Sequence, residues 1–328
     1  IHSDEEDVFL FWNGRKEDIT NVALPFHHIE HIDEPRKEDT SGQTISMFDT
    51  KGRQKAGWHN KLIWGDNKLI LSSLANGPMR EEIEKEGGLK LVYIDPPFAV
   101  GADFSHTIEL NGETATKSQS VLEEIAYRDT WQKGISSYLN MMYERLKLIF
   151  NLLSEDGSIY VHCDWRVSQY LHLILSDIFG ADNFRNKIIW HYPGREKLSS
   201  IKFQSKYDTI FFYSKSESTN LNPTTKTWDR ESRIKALRRK IHKDEDGKEW
   251  FWETRGQANG IEPYKRYLDE YIDKGGALND VWADIQFLRG NHPERVGYET
   301  QKPEKLIERI IKASSNEGDL VADFFCGS

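Results

Sequence analysis

From Asn60 onward, short apolar runs alternate with amphipathic stretches, the rhythm of strand followed by helix. NKLIWGDN predicts a short strand, Leu62–Trp64, ending at Gly65-Asp66, with a helix following to about Leu74. GLKLVYID predicts a buried strand. Leu139, Met142, Leu146, Ile149 and Leu153 share one face of a helix that Ser136 or Ser137 can cap. After the turn Glu155-Asp156-Gly157, SIYVHCD alternates as a strand does. A helix from about Val167 to Phe179 closes at Gly180, and NKIIWHY and YDTIFFYS are two further strands. Near the end, TQKPEKLIERIIKASS carries a helical stripe of Leu306, Ile307, Ile310 and Ile311 with Pro303 in its first turn. DLVADFFCGS then gives a last strand and a glycine. Such alternation implies an α/β fold, a doubly wound, mostly parallel sheet with helices on both faces.

The pattern also divides the chain. Residues 1–59 are acidic and poor in periodicity, and read as an appendage. Residues 60–192 plus 296–328 carry the α/β rhythm. Residues 193–295 lose it and become basic and rich in Trp and Tyr, so they read as an inserted module. The formal net charge is −9, but it is unevenly spread. Residues 1–39 hold eleven acids and four bases, whereas residues 185–243 hold fifteen bases and five acids, a surface suited to phosphates. No stretch approaches the ~18 apolar residues of a membrane span. Two cysteines, Cys163 and Cys326, make neither a disulfide framework nor a Cys-based zinc site, which suits a reducing cytoplasm. His27 and His31 have an i, i+4 metal-pair spacing, but no third ligand follows in pattern. They read as a surface cluster, and no metal is expected.

Three acids are predicted at the carboxyl ends of strands: Asp66, Asp95 and Asp323. That edge of an open α/β sheet is where ligands bind. In Asp95-Pro96-Pro97-Phe98, neither proline can continue a ladder, so the strand stops at a carboxylate, a carbonyl free of sheet pairing and a ring. The amine on a nucleobase is a poor nucleophile because its lone pair is delocalised. A carboxylate and a carbonyl accepting its two N–H hydrogens favour a localised lone pair, and an aromatic ring holds a flipped base by stacking. The Gly327-Ser328 end of Asp-x-Phe-x-Gly-Ser supplies a turn at which backbone can approach a nucleotide-like ligand.

These motifs resemble the amino-methylating (N6-adenine/N4-cytosine) DNA methyltransferases. The similarity is greatest to the permuted subclass that includes the Mod subunits of type III restriction-modification systems. Residues 95–98 match its Asp-Pro-Pro-Tyr/Phe, residues 323–328 its cofactor motif, 300–303 its Thr-Gln-Lys-Pro and 65–67 its Gly-Asp-Asn. The catalytic motif precedes the cofactor motif with a recognition region between, the order of that subclass. The resemblance implies a Rossmann-like methyltransferase fold using S-adenosylmethionine. It also implies that Asp95, Pro96, Pro97 and Phe98 bind and activate the target amine. Asp323, Phe325, Gly327, Ser328, Thr300 and Lys302 are implied at the methionine end of the cofactor, and Asp66 and Asn67 near its adenine end. The insert is implied to recognise the target, with Arg233, Lys235, Arg238, Arg239, Lys240 and Lys243 toward double-stranded DNA. Phe98 replaces the commoner Tyr, keeping the stacking face without the hydroxyl.

Asp at the first motif position favours adenine. N4-cytosine methylation, or a DNA-binding assembly subunit with a degenerate site, are the alternatives. A restriction subunit or a second copy of the chain are the implied protein partners, in a prokaryotic cytoplasm and on the nucleoid. The cofactor motif breaks off at Ser328 and the chain begins at Ile1, so further residues are expected at both ends.

Overall fold

The computed structural model describes residues 10–27, 60–97, 106–110, 113–117, 134–192, 201, 203–219, 221–226, 228–254, 262–290, 292–298 and 300–326. They fall into two compact units. The first comprises residues up to 186, 207–219 and 317 onward, and the second 187–206 and 220–316. The division differs from that suggested by the sequence pattern, since the helix Glu304–Ser314 belongs to the second unit.

In chain order, the first unit contains α1 (Asn67–Asn76), α2 (Met79–Lys85), β1 (Leu89–Ile94), α3 (Ile135–Leu152), β2 (Leu153–Cys163), α4 (Ser168–Phe179), the start of β3 (Phe184–His191), β4 (Tyr207–Ser214) and β5 (Leu320–Asp323). Its strands run in the order β3-β4-β2-β1-β5. β1 pairs in parallel with β2 on one side and β5 on the other, while β4 is antiparallel to β2. The sheet is therefore parallel over β5-β1-β2, as the alternation of elements implies, and the carboxyl ends of these three strands share one edge.

Burial explains why β1 reads as a continuous apolar run. Leu91, Val92, Ile94, Ile159 and Val161 are fully covered, and all of these but Leu91 share one core with α1, α3 and α4. α3 contributes Tyr138, Leu139, Met142, Leu146 and Ile149 to the same core and packs against α1 and α4. Each such aliphatic side chain stabilises the fold by about 1.5–3 kcal/mol through burial.

Local differences from the sequence reading have physical causes. No strand forms at Leu62–Trp64, where Leu62 is 88% and Trp64 83% exposed. Three apolar residues before Gly65 are too few to fix a register. Asp66 instead caps α1, its carboxylate accepting from Lys68 N at 2.8 Å. α3 starts behind Gly134 (φ +80°), which leaves Ser136 and Ser137 inside its first turn. Glu155-Asp156-Gly157 belongs to β2, where the pairing with β1 steps from Leu89–Leu153 to Leu91–Ser158. A Cβ on Gly157 would lie 2.6 Å from Leu89 O, so only glycine fits this irregularity.

Residues 10–27 contain no helix or strand, yet they are strapped to the first unit. Trp12 is buried and donates to Asn140 Oδ1 at 2.7 Å. Arg15 lies over Tyr143 and pairs with Asp177 at 2.9 Å. The amides of Val22 and Leu24 donate to the hydroxyls of Ser72 and Ser73 on α1, which accounts for two buried serines on that helix.

The second unit has its own small core of Phe251, Leu268 and Tyr271 beneath a three-stranded antiparallel sheet of His242–Lys243, Glu249–Glu253 and Tyr264–Tyr267. Within the same unit, Val281-Trp282 pairs in parallel with Ile189-Trp190. The helix Glu304–Ser314 is held there by Arg309, which donates to Asp284 at 3.0 Å and covers the Trp282 ring.

Candidate active site

The parallel ladder sets the geometry of the edge. Tyr93 stands opposite Asp323 and Ile94 opposite Val161, so Asp95 emerges between the ends of β5 and β2. Asp95 and Pro97 are half-buried, Pro96 is buried and Asp323 is exposed. The third acid on this edge is Asp164, one residue past β2. It is 4% exposed and accepts from the amide and guanidinium of Arg166. Three strand-end acids are thus present, but they are Asp95, Asp164 and Asp323, because Asp66 serves as a helix cap.

Beneath the acids lies a buried polar chain. The Tyr93 hydroxyl shares a hydrogen bond with His162 Nδ1 at 2.9 Å, and His162 Nε2 meets Asp208 Oδ2 at 3.2 Å. Burial, reinforced by the negative charges of Asp95, Asp323 and Asp208, pushes the Tyr93 phenol well above its ordinary range. Tyr138 is raised in the same direction by burial, with Cys163, Asp164 and Asp95 adding to it. Both rings therefore stay neutral under an edge whose net character is acidic, an environment that favours cationic ligands.

Asp66 and Asn67 are tied to the end of β5. Asn67 Nδ2 donates to Phe324 O at 3.1 Å, and Arg145 Nε on α3 donates to Asn67 Oδ1 at 2.5 Å. The turn after β5 is closed by Phe325 N donating to Asp323 Oδ1 at 2.8 Å, with the Phe325 ring half-buried. The structure therefore brings together Asp66, Asn67, Asp95, Pro96, Pro97, Asp323 and Phe325 in the first unit. Arg145, Asp164 and the Tyr93–His162–Asp208 chain went unrecognised in the sequence. Phe98, Gly327, Ser328 and His31 lie outside the described residues.

Thr300 and Lys302 belong to the second unit, where Lys302 Nζ donates to Thr300 O at 3.2 Å. The six basic residues expected to face DNA divide into two kinds. Arg233 is packed 3.6 Å over the Trp228 ring and bonded to the Tyr271 hydroxyl. Arg239 is bonded to Trp252 O and paired at 3.1 Å with Glu253, which is itself 3% exposed. Lys235, Arg238, Lys240 and Lys243 remain exposed. No cluster of three or more potential metal ligands occurs among the described residues, and no described helix is long and apolar enough to cross a membrane.

Two motif-bearing ends of adjacent parallel strands meet at one acidic edge of the first unit's α/β sheet. The family model N6_N4_Mtase, described as DNA methylase, matches residues 89–328, and the chain belongs to that family. It is 28% identical over 307 residues to the type II methyltransferase M.EcaI of Enterobacter cloacae, covering 82% of this chain and 62% of that protein. It is 23% identical to the probable type III restriction-modification enzyme HindVI Mod subunit of Haemophilus influenzae, covering 96% of this chain and 53% of that protein. The DNA adenine methyltransferase YhdJ of Escherichia coli is 24% identical over 258 residues, with 78% and 71% covered. The chain therefore spans little more than half the length of the first two relatives.

Proposed function

We propose that the protein methylates DNA on the N6 amine of adenine, with S-adenosylmethionine as methyl donor. The observation that carries this reading is the parallel pairing of β1 with β5, which sets Asp95-Pro96-Pro97 beside Asp323-Phe324-Phe325 at one sheet edge. The donor set fits the cofactor. Exposed carboxylates at Asp66 and Asp323 complement ribose hydroxyls, an ammonium and a sulfonium, and Phe325 offers an apolar wall. When bound, the cofactor supplies a methyl group already activated on cationic sulfur.

The chain's own groups then prepare the acceptor. The Asp95 carboxylate and the Pro96 carbonyl accept from the two N–H bonds of the target amine, drawing its lone pair out of conjugation and toward the methyl. The two prolines hold these acceptors rigid, so little reorganisation is needed at the moment of transfer. Phe98 stacks on the flipped base, whose extrusion costs a few kcal/mol. Lys235, Arg238, Lys240 and Lys243 of the second unit supply phosphate contacts. A restriction subunit as partner rests on similarity to a relative named as a Mod subunit.

Incubating the full-length protein with isotopically labelled S-adenosylmethionine and plasmid DNA, then digesting to nucleosides, tests the reading. Labelled N6-methyladenine is the expected product. N4-methylcytosine would move the assignment to the family's other amine, and no label in either would leave a DNA-binding subunit.

A further inference from the structure

We propose that Arg145 is a positioning residue for the cofactor, holding the Asp66-Asn67 segment and the turn after β5 at one fixed separation. The proposal rests on the S-adenosylmethionine reading above. Arg145 sits on α3 with its side chain 13% exposed, among positions that otherwise fill the core. Its guanidinium reaches three acceptors: Nε to Asn67 Oδ1 at 2.5 Å, a terminal nitrogen to Met141 O at 3.1 Å, and the other to Asp66 Oδ1 at 3.5 Å. A planar fork can serve such divergent acceptors at once, whereas a lysine ammonium on its flexible stem cannot reproduce the geometry.

The consequence passes through Asn67. With Oδ1 committed to Arg145, the amide must present Nδ2 on its other side, where it donates to Phe324 O. That carbonyl lies between Asp323 and Phe325, in the turn proposed to line the methionine end of the cofactor. Among the described residues, the ladder partner of β5 is β1. The turn beyond it is tied by this side-chain bond across 257 residues of sequence. An ordinary surface ion pair between Arg145 and Asp66 would contribute little and would not be covered. The part-buried, three-way arrangement instead ends on the backbone of the turn after β5. At metal sites, losing the group that orients a ligating side chain costs about tenfold or more in affinity, and an effect of that order is expected here.

The test is calorimetric titration of the full-length protein with S-adenosylmethionine and, separately, its demethylated product, which reads binding without turnover. Arg145→Gln and Arg145→Lys should each weaken both ligands by about tenfold or more. Asn67→Ala should do the same, and combining it with Arg145→Gln should add less than twofold. DNA affinity should stay within twofold of wild type. Melting curves without ligand identify variants still folded at the titration temperature, and Asn67→Ser replaces any that is not. Wild-type affinity in a folded Arg145→Gln protein would overturn the proposal. Fully multiplicative losses in the double variant would overturn the route through Asn67. A wild-type protein that binds neither ligand would instead overturn the cofactor reading on which the proposal stands.

Discussion

Tyr93 and Asp323 face each other across the parallel ladder of β1 and β5, two residues before Asp95 leaves the sheet. This single register brings together two motifs that lie more than two hundred residues apart in the chain. It also places a neutral, buried phenol directly below the acids, tethered to His162.

That tether should be measurable as stability. Tyr93→Phe removes a hydrogen bond inside a low-dielectric core and leaves His162 Nδ1 without its hydroxyl partner. A loss of about 1–3 kcal/mol in denaturant unfolding is expected. A change below a few tenths of a kcal/mol would mean that the network carries no net stabilisation.

The basic residues of the second unit should separate by role. Neutralising Arg238 and Lys240, both exposed, should flatten the dependence of log affinity on log salt by about one to two units and leave melting unchanged. Arg239→Gln should lower the melting temperature, because the buried Glu253 loses its partner Arg239 at 3.1 Å while Arg266 stays at 3.2 Å. Equal effects of both changes on the salt slope would contradict the division.

Much of this was legible in the sequence, and the failures have identifiable causes. β1 and its abrupt end could be read because two prolines forbid a ladder, and the helix of residues 304–314 because its apolar stripe repeats at helical spacing. Asp66 misled because an acid after a short apolar run looks alike as strand end or helix cap. Arg145 was invisible because its partner Asn67 is 78 residues away and no periodicity signals a polar group turned inward. Residues 10–27 look structureless by pattern, and they hold no helix or strand. What fixes them is side chains such as Trp12 and Arg15 bonding to α3 and α4, and backbone amides meeting serines of α1, contacts that leave no periodic trace.

Stacking should govern position 98. Phe98→Tyr keeps the ring face and should be nearly neutral for methyl transfer, whereas Phe98→Ala should lose about 1–3 kcal/mol of base-holding free energy. Steady-state kinetics with a cognate duplex would show whether Ala and Tyr differ. If they behave alike, the ring does not stack on the base.

The second unit should be acid-sensitive at one named pair. Hydrogen bonding from Arg309 holds the Asp284 carboxyl below its ordinary value of 3.8, against the opposing effect of burial. A depressed folded-state value contributes stability above the unfolded-state value, and that contribution is lost as pH falls through the folded one. The melting difference between wild type and Asp284→Asn should therefore be constant from neutral pH to about 5 and shrink below about 4. A difference that grows on acidification would contradict the sign.

The most direct measurement is methyl transfer to plasmid DNA by wild type and Asp95→Ala, alongside cofactor and DNA affinities for both. The Asp95 carboxylate is assigned to activate the amine, while DNA affinity comes mainly from phosphate contacts. The predicted result is loss of transfer by at least about a thousandfold, roughly 4 kcal/mol of transition-state stabilisation, with both affinities within severalfold of wild type. Transfer within tenfold of wild type by the folded variant would contradict the assignment of this strand end as the catalytic centre.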